Sequence, residues 1–324
     1  MLWRTTRRAL ATKSEGFTHS TARRSRYSSN TIQHRAYSSS KTARSVPRLS
    51  DNTVETFRKH ALEPALPALL PKGCQSHIPA VSKWFLPAED GSTSSNARLN
   101  ARHLSRYKAI SVPLEITNKG DFARIQHTMS FFLEFVDASN STYNLTSRSN
   151  TSSPPSAHKL PTATIYIAQA SLADLPREMR AALPTPDLVL KAGKGDVYDS
   201  SIWLGQAPTY TPLHKDPNPN LFVQLAGRKC VKLYAPKAGN RIFSEVQEII
   251  GGQGTASMRG EEMMQGEERR VLEKVVWEDD GDEGRDGWEA ELESGDALFI
   301  PKGWWHSIKG VGEGINGSVN WWFR

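Results

Sequence analysis

The stretch "TPLHKDPNPNLFVQLAGRKCVKLYAP", residues 211–236, places a histidine and an aspartate two positions apart, directly before an apolar run. Side chains at positions i and i+2 of a strand point to the same face, so His214 and Asp216 at a strand end can hold one metal ion from one side. The chain has nine histidines, and the pair alone is equally compatible with a polar turn. A third ligand is needed to decide between the two interpretations.

The third ligand candidate is His306 in "PKGWWHS", just after the strand-like "DALFIP". Two histidines and one carboxylate on a β scaffold form a facial triad, which leaves coordination positions on Fe(II) open. Structural zinc usually recruits four protein ligands, often cysteines, and neither Cys74 nor Cys230 is placed for that role. We therefore predict an iron site with His214, Asp216 and His306 as its metal ligands.

A lysine lies in the strand-like segment that follows the His-x-Asp pair. We interpret residues 220–236 as a β-hairpin with its turn at Ala226-Gly227. A lysine that points into a barrel is unfavourable unless it meets a buried anion. With the hydroxyl of Thr211 beside it, Lys229 suits the far carboxylate of 2-oxoglutarate, whose keto and near carboxylate oxygens would chelate iron.

The remaining chain is rich in short strand patterns. "ATIYIAQA" (163–170), "DSSIWLGQ" (199–206) and the last 35 residues alternate strand signals with Gly and Pro turns, and long helical patterns are rare. This pattern predicts an all-β core, a double-stranded β-helix or jelly roll, with flanking short helices.

The chain divides into three predicted parts. Residues 1–50 are a targeting and disordered segment. Residues 51–160 are a helical and strand flank, with a helix at 129–137 and a low-complexity insertion at 138–160. Residues 161–324 are the catalytic barrel, with an acidic insertion at about 245–287 that we interpret as a solvated excursion.

The net charge of +7 comes from the amino terminus. Residues 1–50 hold eleven basic residues and one acidic residue, a net +10, so the remainder carries −3. A basic face for nucleic acid is therefore not expected. No apolar run approaches the roughly 20 residues that span a bilayer, so no membrane span is expected either.

The amino terminus is rich in Arg and Ser and nearly free of acids, a pattern typical of a mitochondrial transit peptide. Arg4, Arg7 and Arg8 share one helical face. "RAYS" at residues 35–38 resembles a site cut by the matrix processing peptidase. We predict the mitochondrial matrix, with the nucleus or cytoplasm as alternatives.

Residues 161–236 and 288–324 resemble the JmjC, or cupin-like, family of 2-oxoglutarate dioxygenases. The resemblance rests on "TPLHKD", the asparagine six residues after its histidine, "QLAGRK", "GDALFIPKGWWH" and "VNWWF". Similarity in "FRKHALEPALPALLPKG" and "IPAVSKW" extends it over most of residues 55–324. The chain most resembles the branch that contains the asparaginyl hydroxylase called factor inhibiting hypoxia-inducible factor.

The resemblance implies that His214, Asp216 and His306 hold Fe(II). It implies that a second set of polar side chains surrounds 2-oxoglutarate: Thr211, Asn220, Lys229, Asn320 and Tyr166. Trp322, two residues after Asn320 on the same strand face, and Trp203 are candidate walls of the pocket.

The implied activity is hydroxylation of a side chain in a protein substrate, with 2-oxoglutarate and O₂ as co-substrates and succinate and CO₂ as products. Lysine demethylation is an alternative, in which hydroxylation of an N-methyl group releases formaldehyde. Asp216 in place of a glutamate and the mitochondrial address argue against it. A non-catalytic metal-binding cupin scaffold is an alternative from another class, and the intact triad with Lys229 argues against that. Small molecules and RNA stay open as substrates.

The chain departs from the family in two respects. The insertions at 138–160 and about 245–287 are unusual in length. The sequence also stops directly after the last barrel strand, so dimerisation through a helical carboxy-terminal extension is not expected.

Overall fold

The computed structural model describes residues 43–87, 97–118, 121–147, 163–252, 264–278 and 286–324 of the chain. The predicted transit peptide, residues 1–42, lies outside the described residues. So do residues 148–160 of the predicted low-complexity insertion.

The described residues form fifteen strands, most of them short. The strands are β1 (Arg44–Ser45), β2 (Ala68–Leu69), β3 (Phe85–Leu86), β4 (Arg98–Leu99), β5 (Ser111–Asn118), β6 (Asp121–Thr128), β7 (Ala163–Ser171), β8 (Val197–Gln206), β9 (Thr209–Lys215), β10 (Asn220–Ala226), β11 (Arg228–Tyr234), β12 (Gly287–Leu292), β13 (Ala297–Ile300), β14 (Trp305–Val311) and β15 (Ile315–Phe323).

Two sheets enclose the barrel interior. One has eight strands in the order β2-β13-β10-β15-β8-β7-β5-β6, and the other has five in the order β1-β12-β11-β14-β9. All pairings within them are antiparallel except that of β1 with β12. The predicted all-β jelly roll with flanking short helices is confirmed.

The predicted hairpin between β10 and β11 is wrong. β10 pairs with β13 and β15 in the eight-stranded sheet, whereas β11 pairs with β12 and β14 in the other sheet. The chain crosses between sheets at Gly227, where φ is +72° and an added Cβ would overlap the Ile315 carbonyl. The Ala226-Gly227 turn therefore connects two sheets instead of closing a hairpin. β10 and β11 are buried on both faces, which favours a two-sheet sandwich over a two-stranded ribbon.

The eight-stranded sheet buries different side chains on its two faces. Leu221 and Val223 of β10 face the main hydrophobic core, where the flanking helices pack. The alternate residues Asn220 and Gln224 face the barrel interior and are fully buried. Because strand side chains alternate between faces, the interior face of β10, β15 and β8 forms a polar floor.

Eight α-helices flank the sheets within the described residues. They are α1 (Val54–Phe57), α2 (Pro79–Lys83), α3 (Ala101–Leu104), α4 (Met129–Ser147), α5 (Arg177–Ala181), α6 (Asp187–Lys191), α7 (Pro236–Ile250) and α8 (Gly266–Glu273). Shorter or wider helical turns occur at Arg58–Leu62, Ser105–Tyr107, Leu172–Asp174 and Lys274–Glu278.

The acidic insertion is not a fully solvated excursion, contrary to our interpretation. α7, α8 and the turn Lys274–Glu278 pack together on the outer face of the five-stranded sheet, burying Phe243, Leu272, Val276 and Trp305 in one cluster. An acidic composition is compatible with packed helices, because only one face of each helix needs to be apolar. Composition alone therefore did not indicate the amphipathic pattern.

The low-complexity insertion begins later than predicted. α4 continues from Met129 to Ser147, so the first ten residues of the 138–160 segment are helical. Asn and Ser are poor helix formers, and the structure extends the helix through them.

The amino-terminal segment ends earlier than predicted. Within the residues assigned to the 1–50 segment, Arg44 and Ser45 pair with Trp288 and Glu289 of β12, and Val46 is buried. Residues 44–46 are therefore part of the barrel. Among the residues that the structure describes, no helix has the length and apolarity to cross a membrane.

Candidate metal and 2-oxoglutarate site

The three predicted metal ligands meet at one end of the barrel interior. His214 near the end of β9 lies directly opposite His306 at the start of β14, and their ring centroids are 4.2 Å apart. Asp216 follows β9, and its main-chain carbonyl accepts a hydrogen bond from the Gly303 amide. One ligand atom from each of the three side chains lies within 4.8 Å of the others. This arrangement can hold one metal ion.

Backbone hydrogen bonds orient both histidine rings. His214 Nδ1 lies 2.8 Å from the Pro212 carbonyl and His306 Nδ1 lies 3.2 Å from the Trp304 carbonyl. A carbonyl only accepts, so in the neutral form of each ring the proton lies on Nδ1 and the lone pair on Nε2. Both Nε2 atoms face Asp216, at 4.0 Å for His214 and 3.7 Å for His306.

The protonation states suit metal binding. Burial and the neighbouring His214 lower the pKa of His306 to about 4, against opposing effects of Asp216 and the Trp304 carbonyl. Burial raises the pKa of Asp216, but the two histidines and its hydrogen bonds outweigh this and hold it below its usual value. Near neutral pH the site therefore offers a neutral His306 and a carboxylate, the forms that bind metal.

Asp216 is held by two donors from the polar floor. Trp322 Nε1 donates to Asp216 Oδ2 at 2.8 Å, and Asn220 Nδ2 donates to the same oxygen at 3.1 Å. Asn320 Nδ2 in turn donates to Asn220 Oδ1 at 2.9 Å. A chain of hydrogen bonds thus links Asn320 and Asn220, both predicted 2-oxoglutarate contacts, to Asp216. Trp322, a predicted wall of the pocket, donates directly to this candidate metal ligand.

Lys229 is a buried cation in the barrel interior, with 3% exposure. Its Nζ donates to Ser318 Oγ at 2.8 Å and to Tyr166 Oη at 3.2 Å, and it lies over the rings of Phe222 and Tyr166. Among the described residues it has no carboxylate partner. Burial lowers the pKa of Lys229 to about 7, as expected for a charge removed from water without a counter-ion.

A bulge in β9 brings Thr211 to the face of the metal ligands. His214 pairs with His306 and Thr211 with Ile308, so three steps along β9 match two along β14. The extra residue shifts the side-chain alternation by one position, so Thr211 lies on the same sheet face as His306 and Ile308, and its contact with 2-oxoglutarate stays a prediction. The structure records no hydrogen bond from the Thr211 hydroxyl to Lys229.

The Tyr166 ring packs on Gly205 of the neighbouring strand. The two residues are cross-strand partners, and a Cβ on Gly205 would overlap the Tyr166 ring and approach the Ile165 carbonyl at 2.9 Å. Trp203, the other predicted wall, lies with its ring centroid 6.2 Å from that of Tyr166. Glycine at position 205 therefore makes room for the tyrosine that contacts Lys229.

We expect Gly205→Ala to displace Tyr166 and to lower the free energy of unfolding by about 1–3 kcal/mol, the usual range for overpacking. Urea denaturation measures the change. Tyr166→Phe, which removes only the hydroxyl, is the control and should destabilise less. Equal stability of Gly205→Ala and the wild type would contradict this close packing.

Ser318 is a candidate site residue that the sequence analysis missed. It bonds Lys229 and lies opposite Gln224 and Trp203 on the polar floor. The signal was present, because Ser318 lies two residues before Asn320 on one strand and must share its face.

Several polar atoms on the interior face of β8 and β15 have no hydrogen-bond partner among the described residues. Asn320 Oδ1, Ser201 Oγ and Trp203 Nε1 are buried and have no hydrogen-bond partner. Lys229 uses two of its three protons, and because it donates to both hydroxyls, those of Tyr166 and Ser318 keep their protons for another acceptor. The Ser201 hydroxyl and the Trp203 indole N–H are buried donors, and with the Lys229 cation they fit an anionic carboxylate ligand, whereas the Asn320 Oδ1 acceptor would need a donor.

A cavity of about 310 Å³ lies beside Tyr166, between the edge of the eight-stranded sheet and α8. Its lining carries charges of both signs, including Glu115, Arg269, Glu273 and Lys309. Lys309 Nζ is 2.9 Å from the Glu273 carboxylate. The volume suits a small ligand or a side chain from a partner.

A double-stranded β-helix with two histidines and an aspartate at one end of its interior defines a cupin with a candidate metal centre. The chain belongs to the cupin-like domain family, whose model matches residues 53–324.

Three known proteins illustrate the similarity. Lysine-specific demethylase JMJ30 of Arabidopsis thaliana is 25% identical over 288 residues, covering 87% of this chain and 55% of the relative. Lysine-specific demethylase 8 of Xenopus tropicalis is 24% identical over 280 residues, covering 86% and 52%. Jumonji C domain-containing protein 5 of Drosophila melanogaster is 24% identical over 283 residues, covering 86% and 60%. The chain spans little more than half the length of these relatives.

These similarities confirm the predicted JmjC and cupin-like family. The narrower resemblance to the asparaginyl hydroxylase branch stays a prediction, because the relatives above are named as lysine demethylases or by their JmjC domain. The mitochondrial address also stays a prediction.

Proposed function

We propose that this protein is an Fe(II)- and 2-oxoglutarate-dependent oxygenase that removes methyl groups from lysine side chains of a protein substrate. The observation that carries the oxygenase proposal is that one barrel interior contains both a His-Asp-His group and a buried lysine, Lys229. Among the described residues this lysine has no carboxylate partner. The relatives named as lysine-specific demethylases favour the methyl-lysine substrate.

Two groups of residues in the interior have separate roles, metal binding and 2-oxoglutarate binding. His214, Asp216 and His306 would hold Fe(II), while Lys229 and the hydroxyls of Tyr166 and Ser318 would bind the far carboxylate of 2-oxoglutarate. Iron with 2-oxoglutarate and O₂ supplies oxidation of an unactivated C–H bond, with succinate and CO₂ as products. The protein contributes position, a fixed tautomer at each histidine and a barrel wall that excludes water.

Side-chain hydroxylation is the second candidate. The observation that favours it is the aspartate at position 216, because the family resemblance implies a glutamate there in a lysine demethylase. The two candidates share the same co-substrates and differ only in the fate of the hydroxylated carbon.

Product analysis separates the candidates. The purified protein with Fe(II), 2-oxoglutarate and O₂ would be given a library of methyl-lysine peptides and mitochondrial extract. Demethylation releases formaldehyde in equal amount with succinate and removes one CH₂ from the peptide mass, whereas hydroxylation adds one oxygen and releases no formaldehyde. Absence of succinate together with absence of 2-oxoglutarate binding to the metal-loaded protein would instead indicate the non-catalytic metal-binding scaffold.

The affinity for 2-oxoglutarate should fall as the pH rises above 7. The pKa of Lys229 in the ligand-free protein is about 7, and the dicarboxylate binds the protonated ammonium. The protonated fraction falls about tenfold per pH unit above the pKa, so affinity should drop roughly 50-fold from pH 7 to pH 9. Calorimetric titration of the Mn(II)-loaded protein measures this dependence.

Lys229→Arg is the matched variant for that titration, because guanidinium stays protonated over the same range. Its affinity, whatever its value at pH 7, should vary little up to pH 9. A wild-type affinity that is flat over this range would show that Lys229 does not bind the ligand as the titrating cation.

A further inference from the structure

The carboxylate of Asp216 has two distinct oxygens. Oδ2 accepts hydrogen bonds from both Trp322 Nε1 and Asn220 Nδ2, at 2.8 Å and 3.1 Å. A carboxylate oxygen has two lone pairs, so these two donors saturate Oδ2. Among the described residues Oδ1 accepts no hydrogen bond. It lies 4.0 Å from His214 Nε2, while Oδ2 lies 3.7 Å from His306 Nε2, so the hydrogen bonds and not the distances distinguish the two oxygens.

The direction of these hydrogen bonds is fixed by chemistry. An indole N–H only donates and a carboxylate only accepts, so the Trp322 bond has one possible sense. The Asn220 amide must likewise turn its nitrogen to Asp216, which leaves its oxygen for Asn320 Nδ2. The chain Asn320–Asn220–Asp216 therefore locks the orientation of the carboxylate from the polar floor.

The backbone places both donors side by side. Asn220 on β10 and Trp322 on β15 are direct cross-strand partners, and both are buried. Asp216 is also anchored through its own carbonyl by the Gly303 amide. Rotation of the Asp216 carboxylate would break its hydrogen bonds to both donors.

We infer that Trp322 is a positioning residue that, with Asn220, restricts Asp216 to a single metal-ligating oxygen, Oδ1. This inference rests on the proposed function, since it concerns the same metal centre. An Asp216 that ligates through both oxygens would occupy one more coordination position. By saturating Oδ2, Trp322 keeps that position open for the co-substrate.

The test is metal binding by Trp322→Phe, which keeps an aromatic ring and removes the N–H donor. Titration with Co(II) should show affinity about 10–100-fold lower than in the wild type, the usual cost of losing a residue that supports a ligand. The visible spectrum of bound Co(II) should also change, because the freed oxygen alters the coordination number. Thermal unfolding of the metal-free variant checks that the barrel is intact.

Trp321→Phe is the matched control. Trp321 is the preceding residue on β15, points to the opposite face, and its Nε1 has no hydrogen-bond partner. Its Co(II) affinity and spectrum should equal those of the wild type. Asn220→Ala removes the second donor and should change the spectrum in the same direction as Trp322→Phe, which also serves if the latter does not fold.

The outcomes separate this inference from the proposed function. A wild-type protein that binds no Co(II) would overturn the metal centre itself. A wild-type protein that binds Co(II), together with Trp322→Phe and Asn220→Ala variants of unchanged affinity and spectrum, would overturn only the positioning role. A loss of stability without a spectral change would assign Trp322 a packing role instead.

Discussion

Lys229→Met is expected to lose 2-oxoglutarate binding and to gain stability at the same time. The ammonium is buried and its partners are hydroxyls and rings. A charge-assisted hydrogen bond contributes about 1.5–3 kcal/mol, so loss of this cation should weaken 2-oxoglutarate binding on the order of 100-fold. Calorimetric titration and succinate formation measure this loss.

The gain in stability has a definite pH dependence. The folded-state pKa of Lys229, about 7, lies below its ordinary value of 10.5. Folding therefore releases a proton between these values, and the lysine destabilises the fold increasingly as the pH is lowered toward 7. Methionine at this position should raise the free energy of unfolding by about 1–4 kcal/mol near pH 7, measured by urea denaturation.

Lys302→Met is the control for that pair of measurements, since Lys302 is exposed. It should leave both ligand affinity and stability unchanged. A Lys229→Met protein that binds 2-oxoglutarate as tightly as the wild type would rule out the assigned carboxylate site. A less stable variant would show that the hydroxyl partners of Lys229 outweigh its desolvation.

His214→Ala is expected to abolish metal-dependent activity. Removal of one of the three ligands leaves His306 and Asp216, which offer too few donors to hold Fe(II) in competition with water. Affinity for Mn(II) or Co(II) should fall by more than the roughly 100-fold that loss of a supporting residue costs. Succinate formation should disappear, while thermal unfolding of the metal-free protein stays close to wild type.

His77→Ala provides the comparison, because His77 is an exposed histidine in a loop outside the site. Its metal affinity should match that of the wild type. Retention of tight metal binding by His214→Ala would mean that the ion is held elsewhere, and the His-Asp-His assignment would have to be abandoned.

The sequence predicted that His214, Asp216 and His306 come together, because strand parity is local. His214 and Asp216 are two residues apart, and an isolated strand-like segment precedes His306, so neither prediction required knowledge of strand order. The prediction of Lys229 relied on the cost of burying a lone cation. The structure brings His214, Asp216 and His306 together and separately buries Lys229 beside Tyr166.

The sequence-based prediction was wrong where the fold depends on pairing between strands that are distant in the sequence. The Ala226-Gly227 signal is the same for a hairpin and for a crossover between sheets, and only the partners of β10 and β11 distinguish them. The hydrogen-bond partners of buried side chains cannot be derived from the sequence pattern either. Nothing in the spacing of Asn220, Asp216 and Trp322 indicates that the first and last bond the same carboxylate oxygen.

The crossover at Gly227 also makes the order of assembly unusual. β10 finds its partner β15 about a hundred residues later in the chain, and Asn220 lies opposite Trp322. Such high contact order predicts slow folding, because loop-closure entropy must be overcome before any of these pairs stabilise the fold. During synthesis, the sheet cannot close until its final strand has left the ribosome. The hydrogen bond from Trp322 to Asp216 can therefore form only once β15 has joined the sheet.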